Sequence, residues 1–314
     1  MNANTDRVRA LYRRLQERRL TAGDLIDPKS VIFPDNSRFL ASVYGDPKLF
    51  TKHFGSFEDT YDIFRVFKDQ NSYVIDVGAH WGYSAVAMRH QGCRAKIVSV
   101  EAMLPNYEML LTLKQLEQGQ YDCVNRAAGD ADALLTFYIP TINRNGITGL
   151  SSTGGTLDDY FASHLAGQAE HYKSFMSSSE PEFRLAKFEV QASRLDDILS
   201  ERGIRSGDVM AIKLDVEGHE GPVLRGSERL LRDARPLLMV EGANRDPQVV
   251  AAMVGHGYFH AERRDGKLTP HVAYSRSNDG FWVHPDKAEQ YRALGIFEGP
   301  VPTPEEAAAP VVPR

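Results

Sequence analysis

The sequence predicts an α/β fold, a mostly parallel sheet with helices on both faces. Two observations carry this. Four short apolar runs, YVIDVG, KIVSVE, VMAIKLDV and LLMVEG, stop at a glycine or an acid, as buried parallel strands do. Segments of helical character separate them, and strands alternating with helices build parallel sheets. The 314-residue length and a composition 42% hydrophobic and 25% charged are those of an ordinary globular chain, with room for one large domain and an extension.

From the N-terminus, Val8, Leu11, Tyr12 and Leu15 recur at helical spacing among many arginines, which predicts an amphipathic helix over Asn4 to Arg19. Its charged side reads first as a solvated face and second as a membrane or partner face. Pro28, Pro34 and Pro47 punctuate the next stretch of chain, so residues 1–71 are expected to form an N-terminal extension of short elements, with the main domain over 72–298. Within that domain Tyr73 begins the first strand, Tyr83 to His90 a helix, KIVSVE the second strand and Asn106 to Glu117 the second helix. Tyr121 to Ala127 and Leu134 to Ile139 are extended, VMAIKLDV is the clearest later strand, and a single helix is expected from about His219 to Arg232. LLMVEG, a helix over Gln248 to His256, an extended Gly257 to Arg263 and a strand at Gly280 to His284 complete the pattern. An insertion over 151–189 interrupts it, glycine- and serine-rich, with a helix expected around Leu157 to Met176. Its aromatics Tyr160, Phe161, Tyr172 and Phe175 suit a helical lid or a homo-oligomer contact as well as passive packing. The proline- and alanine-rich 299–314 reads as a disordered tail.

A net charge of -5 and a pI near 6.1 provide no domain-wide basic surface, so nucleic acid is not the expected partner. The opening MNANTDRVRA has no apolar segment of a secretory signal, and no apolar run is long enough to span a bilayer. Cys93 and Cys123 stand in unrelated segments, as reduced cysteines of a cytoplasmic protein do.

Three constellations carry chemistry. Asp76-Val77-Gly78-Ala79-His80-Trp81-Gly82 follows a buried strand and opens a helix, where open parallel sheets bind ligands. Gly78 can take backbone angles that a Cβ forbids and lets a ligand approach the main chain, Gly82 permits close packing at the helix start, and Asp76 sets a carboxylate nearby. Glu101 ends the next strand, about 20 residues on, where an acid can bind both hydroxyls of a ribose and would repel a 2′-phosphate. Ile212-Lys213-Leu214-Asp215-Val216-Glu217-Gly218-His219-Glu220 places three acids and a histidine at a strand end, a density that is costly unless the groups are paired or used. Asp215 and Glu217 would share a side if both were extended; His219 can serve as a general base near neutral pH or as a helix cap; Glu241 ends the next strand on the same edge. No segment has the spacing of a strong metal motif, and no metal ligand is assigned.

In order between Tyr73 and His284, IDVGAHWG, VEAMLPNYEML, VNRAAGD, SRLDDIL, IKLDVEGHE and LMVEG resemble the FkbM family of S-adenosylmethionine-dependent methyltransferases. IKLDVEGHE after the glycine turn is the specific part. The resemblance implies a class I methyltransferase (Rossmann-like) sheet of seven strands with an antiparallel last strand, which GFWVH supplies. It implies O-methylation of a sugar, glycoconjugate or natural-product hydroxyl, with S-adenosyl-L-methionine as cofactor. Carried over by position, Asp76, Gly78, Ala79, His80 and Gly82 line the methionine part, Glu101 binds the ribose, Ala102 and Asn106 sit near the adenosine, and Asn125 and Arg126 reach the adenine. Asp215, His219 and Glu241 are the candidate bases. The 151–189 insertion exceeds the family pattern. Two other functions compete: a nicotinamide-dependent oxidoreductase, which should show G-x-G-x-x-G where this chain has GAHWG, and a non-catalytic cofactor-binding module.

Overall fold

The computed structural model describes residues 3–147, 182–241, 246–271 and 279–307. The chain divides into two compact units, one of Met1–Asp35 with Leu134–Gln191, the other of Asn36–Ala133 with Ala192–Arg314. The N-terminal 71 residues are therefore not one extension: the division falls after Asp35. The helix expected around Leu157 to Met176 lies outside the described residues.

In chain order the elements are α1 (Ala3–Gln16), β1 (Leu25–Ile26), α2 (Ser37–Gly45), α3 (Pro47–Phe54), a 3-10 stretch (Gly55–Val66), β2 (Tyr73–Val77), α4 (Tyr83–His90), β3 (Lys96–Glu101), α5 (Leu104–Leu116), β4 (Tyr121–Asn125), β5 (Ala127–Gly129), β6 (Ala133–Ile142), β7 (Asn145–Gly146) and β8 (Phe183–Arg194). Then come α6 (Leu195–Glu201), β9 (Val209–Leu214), α7 (Glu220–Arg225), α8 (Glu228–Asp233), β10 (Leu237–Glu241), α9 (Pro247–Gly255), β11 (Phe259–Arg264), β12 (Lys267–Pro270), β13 (Asp279–Val283), α10 (Pro285–Ala293) and α11 (Pro304–Ala307).

In the first unit β1 pairs in parallel with β8, and the order β1-β8-β6-β7 makes a small sheet that the sequence pattern missed. Val8, Leu11, Tyr12 and Leu15 of α1 bury together with Ile142 and Leu185, so the predicted apolar stripe is core. Asp24 ties the chain after α1 by accepting from Thr21 N at 2.8 Å and from the Arg14 guanidinium.

In the second unit the strand order is β12-β11-β13-β10-β9-β2-β3-β4. Strands β4, β3, β2, β9 and β10 are parallel, and β13 runs antiparallel to β10. The sheet has eight strands where seven were expected, β12 being the extra one at the edge, and its antiparallel strand β13 lies where GFWVH predicted it. Side chains alternate between two cores. Val74, Ile97, Ala211, Met239 and Phe281 face one, with α2 to α5 residues such as Leu40, Phe50, Val86 and Leu110. Ile75, Val98, Ile212, Leu238 and Trp282 face the other, with α6 to α9 residues such as Leu195, Val223, Leu230 and Val249. Residues 36–67, expected to be extension, fill the first core with Leu40, Val43, Phe50, Ile63 and Phe64.

The single helix expected over His219 to Arg232 is two, α7 and α8. A Cβ on Gly226 would lie 1.8 Å from the Gly129 carbonyl oxygen, so the chain bends where it crosses β5. Within the expected tail, Val301 and Ala307 pack against the first core. Among the described residues no helix is long and apolar enough to cross a membrane.

Candidate active site

Register alone brings the carboxyl ends of four adjacent strands into a row. Val77 pairs with Val100 on one side and Leu214 on the other, and Leu214 with Val240, so Glu101, Gly78, Asp215 and Glu241 follow one another along the edge. Alternation then places Asp76, Ser99, Glu101, Lys213, Asp215 and Glu241 toward the α2–α5 face, two or four residues beyond the apolar residues that line it.

The turn after β2 is built from left-handed residues: Gly78 has φ 74, His80 φ 52 and Gly82 φ 96. A Cβ on Gly78 would stand 1.7 Å from the Asp215 carbonyl oxygen, so glycine is required by the end of β9 itself. At Gly82 the neighbours are the Leu113 and Leu110 side-chain tips at 2.8 and 2.9 Å, which is the close packing the sequence suggested. The Gly78 amide donates to Val100 O at 2.9 Å, and the His80 amide donates to Glu101 Oε2 at 2.8 Å, locking the turn to β3.

Glu101 also accepts from Met103 N at 2.8 Å and from Asn106 Nδ2 at 3.3 Å. Burial dominates its titration and pushes its pKa up to about 7, against those hydrogen bonds. Asn125 Nδ2 donates to the carbonyls of Glu101 and Ala102 at 3.0 and 2.9 Å, holding the loop after β3. Glu101, Ala102, Asn106 and Asn125 thus come together beside the Gly78 turn.

Three assignments need correction. Asp76 is 0% exposed and accepts from Ser84 Oγ at 2.6 Å and Ser99 Oγ at 3.4 Å, with Lys213 Nζ 3.5 Å away, so it is an internal counter-ion and not an acid presented to a ligand. Arg126 sends its guanidinium to Ser193 Oγ and Glu201, away from the β3 loop. His219 precedes α7 on the opposite face of the sheet. Burial lowers its pKa, its charged neighbours are Asp130 and Arg225, and its Nε2 lies against Gly129. The histidine in the field of Asp215 is His80, whose pKa burial takes down to about 4 despite that carboxylate, leaving the ring neutral at pH 7.

Asp215 lies at the mouth of the row. Burial is the largest single influence and would raise its pKa, but the Lys213 charge and the hydrogen bonds with Glu241 and Lys213 together outweigh it, so Asp215 stays below the ordinary aspartate value. Glu217 reaches the same place from a left-handed turn (φ 54), and the three carboxylates lie within 4.8 Å of one another. Glu220 instead folds the turn, accepting from Val216 N at 3.0 Å and Gly218 N at 3.3 Å. The residue that sequence reasoning passed over is Lys213, 3% exposed and next to last in β9. Its signal was present: one lysine inside the apolar run VMAIKLDV.

The methyltransferase FkbM domain model matches residues 76–264, well over half the chain. The chain belongs to the FkbM methyltransferase family. No curated protein matches it significantly. Among solved structures it is similar to the methyltransferase FkbM from Methylobacillus flagellatus KT, at 13% identity and TM-score 0.41, over 90% of this chain and 60% of that one. It is also similar to the O-methyltransferase from Bacillus cereus in complex with SAH, at 10% identity and TM-score 0.36, over 79% and 90% of the two chains. A SAM-dependent methyltransferase from Aquifex aeolicus aligns at 11% identity and TM-score 0.33, over 82% and 98%. This FkbM chain thus spans about three fifths of the length of its Methylobacillus relative.

Proposed function

We propose that this FkbM-family protein is an S-adenosylmethionine-dependent O-methyltransferase acting on a hydroxyl of a sugar, glycoconjugate or natural product. The observation that carries the reading is the Asp215–Glu241 pair set on the strand edge next to the Gly78 turn, with Glu101 one strand beyond.

The residues present suit the methyl donor. Asn106 is 2% exposed, yet its Oδ1 has no hydrogen-bond partner among the described residues, which leaves a buried acceptor beside Glu101 for a nucleoside. The carboxylates of Asp215 and Glu217, close together at the adjacent edge, make it anionic, as a sulfonium cation favours. Gly78, Ala79, His80 and Gly82 would hold the methionine part, and Glu101, Ala102, Asn106 and Asn125 the ribose and adenine. S-adenosylmethionine supplies an electrophilic methyl group on a good leaving group, so the protein's main task is positioning, worth up to about 7–11 kcal/mol in favourable cases. Asp215 is the base. It remains ionised, accepts the proton of the acceptor hydroxyl and raises the nucleophilicity of that oxygen, an effect worth roughly 10²- to 10⁴-fold in rate. Glu241, hydrogen-bonded to Asp215, steadies the carboxylate before transfer and the proton after it.

The test is calorimetric titration with S-adenosylmethionine and with NAD, followed by transfer of labelled methyl to a panel of hydroxyl compounds. Asp215→Asn should lower kcat by about 100-fold or more while changing cofactor Kd only a few-fold. Undiminished turnover by Asp215→Asn removes the base assignment, and failure to bind S-adenosylmethionine removes the function.

A further inference from the structure

We propose that Lys213 is the positioning residue of this site: from inside the sheet its ammonium clamps the Asp215 carboxylate to the Gly78 turn and so fixes the proton acceptor against the methyl-donor cradle. The inference rests on the reading of Asp215 as the base.

An ammonium buried in a core is expensive unless each proton finds an acceptor. Around the Lys213 ammonium stand Gly78 O, which accepts a hydrogen bond at 3.1 Å, and two carboxylate oxygens in ion-pair range, Asp215 Oδ2 at 3.2 Å and Asp76 Oδ1 at 3.5 Å. Asp76 alone would neutralise the lysine. It is held from behind by Ser84 Oγ of α4 and Ser99 Oγ of β3, which fixes the ammonium at one point. The other two acceptors belong to the two parts of the site that must meet. Gly78 O is in the turn whose backbone lies against the Asp215 carbonyl, and Asp215 is the carboxylate at the exposed end of the same contact, with its side chain 26% accessible. One ammonium thus joins the ends of β2 and β9 through both a carbonyl and a carboxylate. A purely structural ion pair has no need of the second, solvent-reaching acid.

The charged surroundings support the same role. Asp215 is faced by Lys213 on its own strand, Glu241 on β10, His80 in the turn after β2 and Glu220 on α7, with Glu217 beside it in its own turn. Asp76 on β2 and the phenols of Tyr61 and Tyr83 complete the field around Lys213. Of these Lys213 carries the positive charge, since burial keeps His80 neutral. Without the ammonium, burial, the largest influence on Asp215, pushes it toward its protonated form with only the Glu241 hydrogen bond and the neutral His80 left to oppose it.

The experiment compares wild type with Lys213→Met, which preserves the stem, and with the double variant Lys213→Met/Asp76→Asn, which removes the buried carboxylate the single change would strand. The double variant keeps the test open if the single one does not fold. The acid limb of the kcat/KM profile should move upward by about one pH unit or more, so that at pH values below both midpoints activity falls about tenfold or more relative to wild type and recovers as the pH is raised. In parallel, ¹³C NMR of the Asp215 carboxyl, assigned with Asp215→Asn, should show its midpoint rising by a similar amount without any turnover. An equal loss of activity at every pH, with an unmoved carboxyl midpoint, overturns the proposal and leaves Lys213 a structural residue. A midpoint that rises in a protein that transfers no methyl group upholds the clamp and removes the function above.

Discussion

Gly78→Ala tests the close approach that builds the site. Two costs add. The first is conformational: at φ 74 an L-residue pays about 1–2 kcal/mol. The second is steric: the new Cβ would stand 1.7 Å from the Asp215 carbonyl oxygen and 2.8 Å from its carbon, where ordinary contact begins near 3.4 Å. Both obstacles are backbone, so relief requires the ends of β2 and β9 to part by well over an ångström. That motion breaks the Asp215 N to Val77 O bond of 3.1 Å and the Lys213 Nζ to Gly78 O bond of 3.1 Å. A neutral bond contributes about 1 kcal/mol and one from a charged donor about 1.5–3 kcal/mol. The sum is about 3.5–6 kcal/mol, a large share of the roughly 5–15 kcal/mol that holds a domain folded. Gly203→Ala is the control, since it has nearly the same φ, 70, and nothing within 4 Å of the added carbon; it should cost only the conformational part. Urea unfolding of both variants gives the difference directly. A Gly78→Ala protein within about 1 kcal/mol of Gly203→Ala would refute the steric argument and with it the tight junction of the two strands.

The Glu101 carboxyl provides a pH test. Its folded pKa, about 7, lies above the unfolded value of 4.5, so its contribution to stability is fully present below pH 4.5 and is lost as pH rises through 7. In ligand-free protein, wild type should therefore lose about 3 kcal/mol relative to Glu101→Gln between pH 4 and 8, checked by denaturation at each pH; parallel curves would contradict it. Cofactor affinity should move the opposite way, tightening from pH 6 to 8 in wild type more than in Glu101→Gln, because the ionised form accepts the ribose hydroxyls, and calorimetry reads this. Far from the site, Arg89 and Glu117 form a buried pair at 2.6 Å, with Arg89 also donating to the carbonyls of Ala95 and Gln120. Arg89→Met strands the Glu117 charge and should cost about 3–5 kcal/mol by urea unfolding, part of which Glu117→Leu added to it restores.

The parts of this fold that the sequence announced by itself are those governed by short-range rules. Buried parallel strands showed as apolar runs because both their faces meet helices, α1 showed its stripe at 8, 11, 12 and 15, and the Gly78 turn and the acid at 101 stood at strand ends that the runs themselves mark. The sheet between residues 1–35 and 134–191 was not legible, because pairing Leu25 with Leu185 is a matter of register across 160 residues and of strands only two residues long. The site divided in the same way. Spacing along the chain suggested Asp215 with Glu217 and His219, but β9 ends at Leu214, the chain turns left-handed at Glu217, and His219 departs toward the other face. The partners of Asp215 come from neighbouring strands and from within its own: Glu241 across the β9–β10 register, and Lys213 two residues back on the same face. Strand identity is written in a window of six residues, whereas which charges meet depends on how separate strands align, and only tertiary structure decides that.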